Sequence, residues 1–391
     1  MKIKIFLPLF ISASLFAQNL SEILESVQIS KRVTSMKEQT KSEIAQTELL
    51  GAYDAPYLGL SISHADETDK KGEEYGVGIS QNLNHPFANK SKAVDAKKEA
   101  IEIGASYALN MLSLDIAKRY HQACISKGMS ESFLRLYDEQ NEGFLRLQRA
   151  YELGEISKKE LLFNKLDLAK TKQSASTFRR AYISELSSLN EAVDNLTIEE
   201  LACDDLFKIT KRVELKEVQE HALIKAITQE QSSTKAFYNV YNSTFSSIGY
   251  ELLYEKELDT KRYTFGVSLP LDFLSSKAQL QRAELLHKDA ALMAKKDALS
   301  IEIKNSLEAS RENLKTLYEE FVLLEEEILP LSLELKDLAK ESLREGHSSV
   351  LEYLDATRSY SKTLLELQEI NKNYYNELIE LYKRADMREK L

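Results

Sequence analysis

The chain has 391 residues, of which 29% are charged and 43% apolar, with a net charge of −10. Twelve glycines, five prolines and no tryptophan disfavour a turn-rich globular fold and favour long helices. The acidic balance, with no basic patch in the sequence, argues against a nucleic-acid partner. In chain order, the first element is a candidate export signal. Lys2 and Lys4 precede an apolar run from Ile5 to Phe16, with a small-residue cleavage site at Ala17 that assigns 1–17 to the signal. A helix follows at about Leu20 to Leu50. Two period-two segments come next, Pro56 to Ala65 and Glu74 to Leu83. A long helix is predicted from about Lys90 to Tyr151 and a returning helix from Ser157 to Val193. Sixty helical residues would run about 90 Å.

After a less regular linker, Asp194 to Lys211, the same order returns. A helix is expected at about Leu215 to Val240, then strands Ser246 to Glu255 and Tyr263 to Phe273. A long helix follows from Ser276 to Arg344, with Pro330 expected to kink it, then a final helix from Ser349 to Glu389. Aligning Gly154 with Gly346 gives ten identities in 36 positions, where composition alone would give about two. The reading is therefore a duplication, with 18–205 and 206–391 as the two repeats. Gly154 and Gly346 stand where a helix end takes a left-handed residue, and Ser157 and Ser349 can cap the next helix.

The strands carry one apolar and one small or polar face. Tyr263, Phe265 and Val267 alternate with Thr264, Gly266 and Ser268. Lengths of nine to eleven residues suit tilted membrane strands. Four strands close no barrel and lipid tolerates no open edge, so other copies of the chain must complete the sheet.

Residues Ile328 to Lys362, above all Gly346, Ser349, Glu352, Leu354, Asp355 and Ala356, resemble the signature of TolC-like outer membrane efflux proteins. Tyr151 to Leu162 is a paler copy. The resemblance implies a homotrimer that is mainly α, with a twelve-strand membrane β-barrel and long coiled-coil helices forming a periplasmic tunnel. It implies a passive duct in the cell outer membrane, among outer membrane lipid, with a long periplasmic portion. A periplasmic adaptor and an inner membrane transporter of the proton-driven type would be its partners, in efflux or type I secretion. The segment Ile79 to Ala100 is similar to the strand-to-helix junction of the branch that exports heavy-metal cations. The chain lacks the lipidated N-terminal cysteine of many drug-efflux members. No phosphate-binding loop and no nucleophile–base constellation occur in the sequence, so neither a cofactor nor an enzyme is expected. The alternative is a periplasmic coiled-coil adaptor or scaffold, which the twofold order of hairpin and long helix disfavours.

Glu352 and Asp355 lie one turn apart. By the resemblance they stand where the tunnel narrows, with Glu160 as the first-half counterpart of Glu352 and Phe163 in place of the second acid. The competing reading is an ordinary solvated turn. His121 and Cys124 have a spacing that could serve a metal, but no second pair supports it. Cys124 and Cys203 are either bridged, tying the linker to the long helix, or two separate thiols.

Overall fold

The computed structural model describes residues 17–387 apart from 67–70, 87, 195, 216, 243–244, 272–273 and 275. Most of the expected signal segment and the tip of the first hairpin lie outside the described residues. The elements are α1 (Leu20–Gln28), α2 (Lys31–Gly51), β1 (Tyr57–Asp66), β2 (Lys71–Asn84), α3 (Ser91–Glu152), α4 (Lys158–Ala192), α5 (Ala222–Tyr241), β3 (Ser247–Lys256), β4 (Lys261–Ser268), α6 (Lys277–Val322), α7 (Leu329–Glu345) and α8 (Val350–Arg384). No helix among the described residues is long and apolar enough to cross a membrane.

The chain packs as two compact units. One comprises the chain up to Ser35 with Leu109–Lys216 and Asn305 onward; the other comprises Met36–Ala108 and Glu217–Lys304. Each unit therefore draws on both sequence halves. In the first, Phe133 and Leu136 of α3 pack with Ala175 and Phe178 of α4 and Leu364 of α8. A second cluster joins Leu147 of α3 to Val350 and Leu354 of α8, with Ile156, Leu161, Phe163 and Leu343 against it. The second unit contains the sheet, antiparallel throughout in the order β1-β2-β3-β4.

Several boundaries differ from the sequence expectation. The first helix breaks at Ile29–Ser30 because two side chains take over the new helix start. The Ser30 hydroxyl accepts the Val33 N–H at 3.2 Å, and the Asp194 carboxylate accepts the Lys31 N–H at 3.0 Å. The helix of the second half starts at Ala222, not Leu215, where His221 Nδ1 accepts the Leu223 N–H.

The fourth strand ends at Ser268 rather than Phe273. Pro270 has no N–H to offer a ladder, and the strand stops before it. Before Pro330 the helix widens into a π-helical segment, Leu323–Ile328, and α7 then resumes with proline in its first turn. The Leu329 N–H bonds to the Leu324 carbonyl five residues back. A change of helical register thus accommodates the residue that cannot donate.

Candidate functional site

The sheet inverts the usual rule for a soluble protein. Its register brings Leu58, Ile79, Leu252 and Phe265 into one row across all four strands. Leu60, Val77 and Tyr254 lie in the next row on the same face, with Tyr263 paired to Tyr254. These residues are open: Leu60 is 75% exposed, Phe265 69% and Ile79 49%. The opposite face carries Gly59, Gly76, Gly78, Gly249 and Gly266 with Ser61, Ser80 and Ser268. Side chains there crowd quickly, since a Cβ on Gly249 would stand 2.2 Å from Ser268 Oγ. Small residues on one face and bulky apolar ones on the other let a sheet curl toward the small side. A continuous apolar face of this extent needs a partner or a lipid surface. At about 3.3 Å per residue a ten-residue strand is about 33 Å long, enough to cross a hydrocarbon layer when tilted. Tyr254 and Tyr263 meet at 5.1 Å near the hairpin end of the aliphatic band, and Tyr250 flanks it at the other end, hydrogen-bonded to Gln81. Aromatic side chains with one polar tip suit the two edges of such a layer.

In the other unit, two helical turns share one construction. Gly154 and Gly346 have φ of +76° and +79°, the left-handed region open to glycine. Ser157 then caps α4 and Ser349 caps α8. Each hydroxyl accepts an N–H three residues on, from Glu160 at 3.2 Å and Glu352 at 3.3 Å. Each carboxylate reaches back to the serine N–H, at 2.8 Å and 3.0 Å. These are reciprocal capping boxes. The bonds from Ser157 hold the exposed Glu160 carboxyl below its ordinary range. Two of the three acids expected to line a constriction therefore have a local structural task.

The third, Asp355, is exposed and accepts a hydrogen bond from Arg358 Nη1 at 3.1 Å. Arg358 also donates through Nε to Asp167 on α4 at 2.8 Å. A cation on the same turn offsets part of the negative charge, which the sequence reading missed. Phe163, in the position matching Asp355, packs on the Leu147–Val350–Leu354 cluster.

The Asp167–Arg358 pair is asymmetric. The aspartate side chain is 8% exposed and the arginine 45%. Arg358→Ala strands a nearly buried carboxylate and is expected to cost about 2–3 kcal/mol. Asp167→Ala leaves a cation that water can reach and should cost about 1 kcal/mol. Chemical denaturation of the two variants checks this order; equal losses would contradict it.

The Cys124 and Cys203 sulfurs are bonded, with Cα atoms 5.4 Å apart. Both ring nitrogens of His121 are engaged by backbone groups. One ring nitrogen lies 2.7 Å from the Ala117 carbonyl, and Nε2 accepts the Phe207 N–H at 2.8 Å. That pattern fixes a neutral ring, and burial pushes its pKa down to about 4. No group of three metal-ligating side chains occurs among the described residues. His121 and the disulfide instead fasten the linker to α3. Tyr374 and Tyr375 of α8 add hydroxyl bonds to the Thr210 and Phe207 carbonyls, at 2.9 and 3.1 Å. No local pattern betrays these two tyrosines, because their partners lie 164 and 168 residues away.

Comparison with solved structures finds the same arrangement of elements elsewhere. The open state of the Neisseria gonorrhoeae MtrE outer membrane channel aligns with a TM-score of 0.79 at 14% identity, covering 94% of this chain and 88% of that one. CusC, in crystal structures concerned with folding and transmembrane channel formation, gives 0.77 at 13% identity, covering 94% and 91%. The Campylobacter jejuni CmeC outer membrane channel gives 0.76 at 12%, covering 94% and 85%. The chain has the fold of these channels. No protein-family model and no curated protein matches the sequence.

Proposed function

We propose that this protein is the outer membrane exit duct of a tripartite efflux or secretion system, working as a passive homotrimer. The observation that carries the reading is the sheet. Its apolar face is open, its other face is mostly small or polar, and its outer strands β1 and β4 have no pairing partner beyond them among the described residues. Three copies supply twelve strands, and β1 of one copy pairs with β4 of the next, so no edge meets lipid. The likeness in fold to solved outer membrane channels supports the same reading. The apolar face then meets the membrane and the Gly/Ser face lines the lumen. The paired helices stand in the periplasm, where an adaptor and a proton-driven inner membrane transporter deliver a drug-like solute, a metal cation or a secreted protein.

The test is direct. Membrane-extracted protein in detergent should run as a trimer by native mass spectrometry and should conduct ions in planar bilayers. A monomer that forms no conductance would overturn the proposal.

Glu352, Asp355 and Glu160 are proposed to line the constriction at the two capped turns. Glu352→Gln keeps an oxygen for the Ser349 N–H, so the double variant Glu352→Gln with Asp355→Asn removes charge without undoing the cap. It should lower cation preference in bilayers with assembly intact, because low-dielectric walls focus the field of acids at a narrow opening. Unchanged selectivity in conducting trimers would place these acids outside the constriction.

A further inference from the structure

A cavity of about 690 Å³ lies in the unit that contains the sheet, walled by residues of α2, α3, α5 and α6 and by the strand ends at Asn84 and Ser247. Lys90, immediately before α3, lines it and is only 8% exposed. Its ammonium rests over the Tyr53 ring, 4.2 Å from the centroid. Among the described residues it forms no ion pair. The acid that acts on it through space is Asp54, and burial pulls its pKa down. An ammonium on a largely buried side chain without a paired acid is costly unless another anion completes it.

The rest of the wall leans the same way. Lys97 and Lys288 share a single carboxylate, Glu230, at 2.9 and 3.2 Å. With Lys277 the cavity has four lysines against three acids, Asp54, Glu230 and Glu284. Leu49, Leu50 and Phe237 supply apolar surface beside these charges. The cavity is thus amphiphilic, with the amine of a largely buried lysine in its wall.

We infer that this cavity binds the phosphate oxyanion of a phospholipid, with Lys90 as the group that recognises it and the leucines against the acyl chain. The inference rests on the channel reading for its choice of source. The strand ends in the cavity wall are those opposite the hairpin tips, and in a membrane barrel they lie at headgroup depth on the periplasmic side. Ammonium–phosphate contacts are short, charge-assisted hydrogen bonds, and a dry wall strengthens them. The lipid would seal the junction where sheet gives way to helices.

Native mass spectrometry in detergent tests this with three probes: phosphatidylglycerol, diacylglycerol with the same chains and no phosphate, and inorganic phosphate. Phosphatidylglycerol should be retained and diacylglycerol lost. Lys90→Met, a burial-tolerant change, should weaken phosphatidylglycerol binding by about tenfold or more. Lys41→Met, on an exposed turn of α2, should leave it unchanged. Equal retention by the two variants, or retention of diacylglycerol as strong as that of phosphatidylglycerol, overturns the site. The second comparison needs only the wild-type chain, so it decides even if Lys90→Met fails to fold. Lys90-dependent binding of inorganic phosphate with no lipid retention overturns the lipid source and assigns the cavity to a soluble phosphate. Bilayer conductance is measured separately. A wild-type chain that binds the lipid but never conducts overturns the channel reading and leaves the site standing.

Discussion

Phe265→Arg should strip the protein from the outer membrane, while Thr264→Arg, one residue away, should be tolerated. Phe265 sits in the middle of β4, in the row with Leu58, Ile79 and Leu252, and is 69% exposed. If that row meets hydrocarbon, an arginine there costs about 2–4 kcal/mol, against at most about 1 kcal/mol near an interface. Thr264 pairs with Leu253 on the opposite face, which faces the lumen in the proposed barrel, where a long polar side chain keeps its water. The measurement is the level of assembled trimer in outer membrane fractions. Equal levels for the two variants would mean that the sheet is not a barrel wall. The target depends on where the strand ends. With pairing to Phe273 the middle would fall near Ser268; with pairing only over Lys261–Ser268 it falls at Thr264 and Phe265.

Acid should loosen the unit that contains the linker, and reduction should do so independently. His121 is buried and neutral with a pKa of about 4, below its ordinary 6.5. The unfolded chain binds this proton more readily than the folded one. The stabilisation is therefore complete above pH 6.5, falls as pH drops from 6.5 toward 4, and is gone below. Over that window the loss amounts to about 3 kcal/mol. Burial acts to raise the Glu139 and Glu380 carboxyls, but their lysine partners outweigh it and hold both below the ordinary glutamate range. The comparison that isolates the histidine is wild type against His121→Gln, whose profile should be flatter between pH 6.5 and 4. Parallel profiles would show that His121 does not carry the effect.

The disulfide joins residues 79 apart in sequence, and cleaving a loop of that size costs about 2–4 kcal/mol. Alkylation without reductant should leave Cys124 and Cys203 unmodified, and reduction should lower the thermal midpoint at every pH. Free thiols in the untreated protein would contradict the bond.

The sequence by itself determined the elements and their order. Period-two runs such as Leu58, Leu60 and Ile62 identify strands, because alternation is a property of the extended backbone. Gly154 and Gly346 with Ser157 and Ser349 mark the turns, because caps and left-handed residues act within four positions. Even the identity of the apolar sheet face was legible, since it follows from parity alone. The tertiary structure decided what depends on distant partners. Asp194 breaks the first helix from 163 residues away. Arg358 reaches Asp167 across 191 residues and reduces the charge expected beside Asp355. Tyr374 and Tyr375 hold a linker that has no pattern of its own. Lys90 reads as one lysine among many until the fold closes Tyr53 beneath it and leaves its charge without an ion pair. Local geometry is written in short-range periodicity, whereas the pairing of a charge is settled only when separate segments meet.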